Sequence, residues 1–89
     1  MINIDKLKEY AADLLPIETI AILLNVDELL LREAISDRAT DISGAYYLGQ
    51  AETIAAIRKQ EVELAKAGSP LAVENVALYI IEQKTSENG

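Results

Sequence analysis

Cysteine, histidine, tryptophan and phenylalanine are all missing from these 89 residues, and proline occurs only twice and glycine four times. Each absence excludes something. Without Cys or His there is no thiol nucleophile, no imidazole general base and no Cys/His zinc site, which removes most enzyme chemistries. No catalytic activity, metal or cofactor is therefore expected. Sparse Gly and Pro, with four tyrosines as the only aromatics, weigh against a β-sandwich or barrel and favour an all-helical chain. No run of 18 apolar residues occurs, and charged residues alternate with apolar ones from Asp5 onward, so neither a membrane span nor a secretory signal is read. A cytoplasmic protein is expected, to which the lack of cysteine is no obstacle.

What is present is aliphatic and acidic. The length suits one small domain with a single core, or a two-part chain that relies on self-association. Net charge is -7, unevenly spread. Residues 1–37 hold eight acids against three bases, whereas residues 38–89 hold seven against five. Non-specific DNA affinity comes chiefly from Lys and Arg displacing counterions, so the N-terminal part is the less suited to it.

Apolar spacing predicts five helices. Leu7, Tyr10, Ala11 and Leu14 follow an i, i+3, i+4, i+7 pattern over residues 4–13, with Asn3 or Asp5 available as a cap. Pro16 suits the first turn of a second helix over 16–24, where a missing N–H costs nothing. Asn25 fits a left-handed helix end, and Asp27 can cap a third helix carrying Leu30, Leu31, Ala34 and Ile35 inward. A small residue at a helix crossing (Ala21), a turn residue four positions on (Asn25), an apolar residue after it (Val26) and apolar anchors beyond (Leu31, Ile35) are the requirements of a helix-turn-helix. The same tri-helical corner also serves as a plain structural unit.

Residues 36–41 carry helix-starting residues and no apolar ones, so a long helix is predicted over 40–67, roughly 40 Å at 1.5 Å per residue. Ile42, Tyr46, Gly49, Thr53, Ile57 and Leu64 form one face, and Leu48, Ala51, Ala55 and Val62 a nearly opposite one; two apolar faces imply two partners. Gly49 has no cap or turn to make inside a helix, so its cost of roughly 1 kcal/mol points to close approach by another backbone. "KAGSPLA", residues 66–72, places Gly68 at the left-handed end, Ser69 at the cap and Pro70 at the first helical position. So short a connection predicts an antiparallel helical hairpin, with the last helix over 70–83 turning Ala72, Val73, Val76, Ala77 and Ile80 toward its partner. Leu71 and Leu78 share a sector with Glu74, Asn75 and Glu82, which suggests burial by a neighbouring subunit. Residues 84–89, "KTSENG", lack apolar anchors and are expected to form a disordered tail.

The residue types that carry chemistry find ordinary explanations. Glu33, Asp37 and Asp41 recur at four-residue spacing, but a helix boundary interrupts them, and they read as solvated surface rather than a Mg²⁺ site. Glu61 and Glu63 beside Arg58, Lys59 and Lys66 fit exposed intrahelical ion pairs worth about 0.2 to 0.5 kcal/mol each. Tyr46 reads as core and Tyr47 as freer; adjacent helix positions differ by about 100°, so the two rings form no common stacking platform.

"AYYLGQAETIAAIRKQEVELAKAGSPLAVENVALYIIEQ", residues 45–83, resembles the helical hairpin of phage small terminase subunits and related prophage proteins. Ala45, Tyr46 and Gly49 match that family's Ala-Tyr-x-x-Gly start, and Ala65, Gly68, Ser69 and Ala72 its Ala-x-x-Gly-Asn/Ser-x-x-Ala turn. The preceding helix-turn-helix pattern keeps the family's order of parts. The resemblance implies a non-catalytic DNA-packaging protein: a tri-helical unit (residues 1–38) that meets double-stranded viral DNA, a hairpin (residues 40–83) that assembles homo-oligomers, and a C-terminal part that engages the large terminase subunit. The chain departs from the pattern at its recognition-helix positions, Asp27, Glu28, Leu29, Leu30, Arg32 and Glu33, where Arg32 is the only base. DNA contact then falls to scattered cations, Lys6, Lys8, Arg32, Arg38, Arg58 and Lys59, added up around a ring, and the subunit interface to Leu48, Ala55, Val62, Leu71 and Leu78. The alternative is an acidic helical adaptor whose helix-turn-helix is structural and whose partner is another protein.

Overall fold

The computed structural model describes residues 2–89, and every regular element among them is a helix. They are α1 (Ile4–Ala12), α2 (Ile17–Leu24), α3 (Glu28–Ser36), α4 (Asp41–Lys66) and α5 (Pro70–Asn88). The chain divides into two compact units, Met1–Ile54 and Ala55–Gly89, so α4 begins in one and ends in the other.

In the first unit, side-chain caps fix where the helices start. The Asn3 carboxamide accepts the Lys6 N–H and the Asp27 carboxylate accepts the Leu30 N–H, each at 3.1 Å, supplying partners to amides that have none within the helix. Thr40 does the same for α4, its Oγ1 accepting the Ser43 N–H at 3.1 Å. Pro16 sits at the cap of α2, one residue earlier than the first helical position.

Helices α1 and α2 both end in a left-handed residue. After α2, Asn25 (φ 56°) lets its own N–H reach the Ile22 carbonyl while the Val26 N–H reaches Ala21, a Schellman closure. After α1 the same pair of bonds runs from Leu14 to Ala11 and from Leu15 to Tyr10, with Leu14 at φ 58°. A leucine in that region costs roughly 1–2 kcal/mol.

Leu7, Ala11, Ile20, Ala21, Leu31, Ile35 and Tyr46 form one buried cluster. Full burial of an aliphatic side chain contributes about 1.5–3 kcal/mol, so Leu7, Ile20 and Leu31 are the main anchors of the unit. Ala21 lies in this cluster between Ile20 and the Schellman turn, and its small side chain lets α2 pack against α3. Leu30, expected inward, is 65% exposed. Leu31 and Ile35, four residues apart, already form the inward stripe of this nine-residue helix, and Leu30 lies about 100° away from it.

Gly49 is where α1 meets α4. A Cβ at this position would overlap the Lys8 carbonyl oxygen and stand 3.2 Å from the Ala12 amide nitrogen, so the close backbone approach read from the sequence is present. The Thr53 hydroxyl donates to the Ala12 carbonyl at the end of α1, and Lys8 Nζ lies 3.4 Å from Glu52 Oε1. Ile42 and Thr53 are half-buried on this face, whereas Ile57 and Leu64, expected to continue it, are exposed. Within the second unit the half-buried stripe of α4 passes through Arg58, Glu61, Val62 and Ala65 instead.

The second unit turns at Gly68 (φ 96°), with the Gly68 and Ser69 amides bonded to Ala65 and Leu64 and Pro70 opening α5. Asn75 Nδ2 donates to Glu61 at 3.3 Å and Arg58 pairs with Glu82 at 2.8 Å, so α5 runs back along the second part of α4. These cross-helix contacts engage Arg58 and Glu61 where the sequence reading placed intrahelical pairs. Ala72 is the only buried residue of this unit, and Asn75, Val76 and Tyr79 are half-buried. Val73, Ala77 and Ile80, expected against the partner helix, are exposed, because a two-helix contact covers one stripe and here that stripe passes through Ala72, Val76 and Tyr79. The end of α5 corrects the expected tail: residues 84–88 are helical, with Thr85 Oγ1 donating to the Ile81 carbonyl at 2.8 Å and Lys84 Nζ 3.4 Å from Glu87 Oε2.

Candidate functional site

Six cations were the candidates for nucleic-acid contact, and most are already engaged. Lys6 lies 3.5 Å from Glu9, Lys8 3.4 Å from Glu52, Arg32 2.8 Å from Glu28 and Arg58 2.8 Å from Glu82. Arg38 stands over the Tyr47 ring at 3.9 Å, and Arg58 also covers Tyr79 at 4.4 Å. Lys59 is exposed. Exposed ion pairs are individually weak and open readily, but each carboxylate beside a cation offsets the charge a phosphate would use. Arg32 is the most affected, because it lies on α3 between Glu28 and Glu33.

The rest of α3 presents the same chemistry. Asp27 is spent on the cap, Glu28 holds Arg32, and Leu29 and Leu30 point to solvent. Across the turn formed by residues 25–27, Ile22 and Leu23 in the last turn of α2 are exposed as well. The corner is apolar and acidic.

The residues expected at a subunit interface lie as follows. Leu48 and Ala55 are exposed on α4, Val62 is half-buried, and Leu71 and Leu78 on α5 are 68% and 63% exposed. Val73, Ile80 and Ile81 add to the uncovered apolar surface of α5, and Ile57 and Leu64 to that of α4; periodicity alone had assigned several of these to the interior. On α5, Leu71 and Leu78 share one side and Val73 and Ile80 lie about 180° around the helix from them, so uncovered apolar residues flank the Ala72, Val76 and Tyr79 stripe on both sides.

Within the second unit a groove of about 690 Å³ is lined by residues including Arg58, Val62, Val76, Tyr79, Ile80 and Glu82. Arg58 pairs with Glu82 in its lining, and Glu87, also in the lining, lies 3.4 Å from Lys84. No cluster of acidic side chains arranged to hold a metal ion occurs among the described residues. Tyr46 is buried and meets Tyr47 edge-on, with ring centroids 5.1 Å apart and planes at 85°, a packing contact and no flat platform for a base. No helix among the described residues is long and apolar enough to cross a membrane. No protein-family model, curated protein or solved structure matches this chain.

Proposed function

We propose that this chain is a small-terminase-like phage or prophage DNA-packaging protein, non-catalytic, working in the cytoplasm as a homo-oligomer. In this reading residues 1–38 form a helix-turn-helix-like unit and residues 40–83 a helical hairpin that joins copies. The observation that carries it is the second unit's lack of a core: it buries Ala72 alone while Leu64, Leu71, Leu78, Ile80 and Ile81 face solvent. A two-helix element with so little covered surface does not offset the entropy of ordering its chain, and a second copy supplies the missing cover. The family resemblance of residues 45–83 supplies the biological setting, including the large terminase subunit as a partner.

DNA contact, in this reading, comes from Lys6, Lys8, Arg32, Arg38, Arg58 and Lys59 repeated around an assembly. Individually weak phosphate contacts add up when copies are linked. A second reading, an acidic protein–protein adaptor, is favoured by the carboxylate partners that four of those six cations hold.

The adaptor, like the packaging protein, self-associates through the hairpin, and sedimentation at tens of micromolar tests this: a clean monomer refutes both readings, and Leu78→Glu is expected to dissociate the assembly while leaving helix content nearly unchanged. Titration of labelled duplex at about 50 mM and about 200 mM salt separates them. Salt-sensitive binding supports packaging, and no binding even at low salt favours the adaptor.

A further inference from the structure

We propose that the α2–α3 corner is a docking surface for a cationic amphipathic helix of a partner protein. Ile22 is 75% and Leu29 66% exposed, and with Leu23 and Leu30 they lie within one helical turn of the connection formed by residues 25–27. None of the four belongs to the buried core, which closes through Ile20, Ala21, Leu31 and Ile35 of the same helices; around α3, Leu29 lies about 200° and Leu30 about 100° from Leu31. The apolar group is bordered by Glu18, Asp27, Glu28 and Glu33, and the single base among them, Arg32, is held by Glu28 at 2.8 Å. A leucine stripe on the incoming helix covers the apolar residues, and Lys or Arg flanking it meets the carboxylates.

Charge selects this occupant over the others. Phosphates of DNA meet three uncompensated negative charges here. A second copy is also mismatched, because none of the five helices of this chain carries net positive charge. The corner belongs to the first unit and α5 to the second, so the proposal does not depend on self-association through α5, and it removes Arg32 from the DNA contacts of the packaging reading.

The probe is a synthetic helix of about 18 residues with leucines on one face and lysines on the other, alongside a copy in which glutamate replaces lysine. It is titrated into the full chain, with binding mapped by NMR shifts of the Ile and Leu methyl groups. The lysine peptide is expected to shift Ile22, Leu23, Leu29 and Leu30, and the glutamate peptide to bind at least about tenfold more weakly. Leu29→Ser with Leu30→Ser, two exposed positions, is expected to raise the Kd at least about tenfold with circular dichroism unchanged, whereas Leu78→Ser leaves it unchanged. Absence of binding, or equal binding by the Ser variant, overturns the proposal. Shifts of the same methyls by duplex DNA without peptide, or by raising the concentration of the chain alone, overturn it in favour of DNA or a second copy.

Discussion

Gly44 and Gly49 stand five residues apart in α4 and differ in what surrounds them: a Cβ at Gly44 meets nothing within 4 Å, whereas one at Gly49 overlaps the Lys8 carbonyl oxygen. Replacing either by alanine removes the same backbone freedom from the unfolded chain, a gain of about 0.5–1 kcal/mol in a helix. At Gly44 that gain is the whole effect, and Gly44→Ala is expected to stabilise. At Gly49 the obstructing atoms belong to the backbone of α1, which is itself hydrogen-bonded and capped by Asn3, so no side chain can rotate aside and the helix must shift. Overpacking of this kind costs typically 1–3 kcal/mol and occasionally more. The shift also disturbs the bond from Thr53 to Ala12 and the ion pair of Lys8 with Glu52. Net destabilisation of about 1–2 kcal/mol is expected, a lowering of Tm by roughly 4–16 °C for a chain of this size. Thermal and urea melts of both variants, at matched protein concentration and followed by circular dichroism, measure the contrast. If Gly49→Ala stabilises as much as Gly44→Ala, α1 does not cross α4 at this point and the packing of the first unit is wrong.

The remaining predictions use the same melts. Ser43 is fully buried and its hydroxyl has no hydrogen-bond partner, so Ser43→Ala is expected to be neutral or to stabilise by up to about 1 kcal/mol, since an unsatisfied buried polar atom is lost. Gly68 adopts φ 96°, where an L side chain is strained, so Gly68→Ala is expected to destabilise by about 1 kcal/mol. Leu31→Ala is expected to cost about 2–5 kcal/mol and Leu30→Ala less than about 0.5 kcal/mol; similar losses for the two refute the inward stripe of α3.

Local signals were legible where one residue type carries them. Asn25 and Gly68 announce left-handed helix ends because asparagine and glycine tolerate that region, and Asp27 and Ser69 announce caps because their oxygens reach an unpaired amide. Leu14 adopts the same left-handed conformation as Asn25, yet nothing in a leucine signals it. The turn is imposed by its surroundings: α1 must end before Pro16, and the Leu15 amide closes on Tyr10. Apolar periodicity located all five helices but could not see the last turn of α5, because a polar solvent-facing helix leaves no apolar trace; Thr85 to Ile81 and Lys84 with Glu87 hold it. Periodicity also overstated burial. It shows which face of a helix is apolar, and whether that face is covered depends on which stripe the partner helix takes, as Ile57 and Leu64 show beside the half-buried Arg58, Glu61, Val62 and Ala65. Pairings distant in sequence, Lys8 with Glu52 and Arg58 with Glu82, carry no local signature, so the neutralisation of these two cations could not be read in advance, whereas Lys6 with Glu9 and Arg32 with Glu28 stand at ordinary helix spacings.

The exposed leucines of the two units pose different physical problems. In the first unit a cluster of seven buried residues is already closed, so Ile22, Leu23, Leu29 and Leu30 are surplus to folding. Their exposure is a cost in solubility that only an interaction offsets. In the second unit the exposed residues are what a core would be made of, and Ala72 is all that is fully buried. Covering the corner therefore adds a partner to a folded unit, whereas covering α5 contributes to the ordering of the helices themselves and depends on the concentration of copies. The acidic groups divide along the same line. Glu61 and Glu82 are used internally by Asn75 and Arg58, whereas at the corner Glu18 and Glu33 have no such neighbour to answer and face outward with the leucines. A surface that is both greasy and uncompensated in charge selects its partner by sign as well as by shape, and the charge that answers the acidic α3 is positive, which a phosphate backbone does not supply.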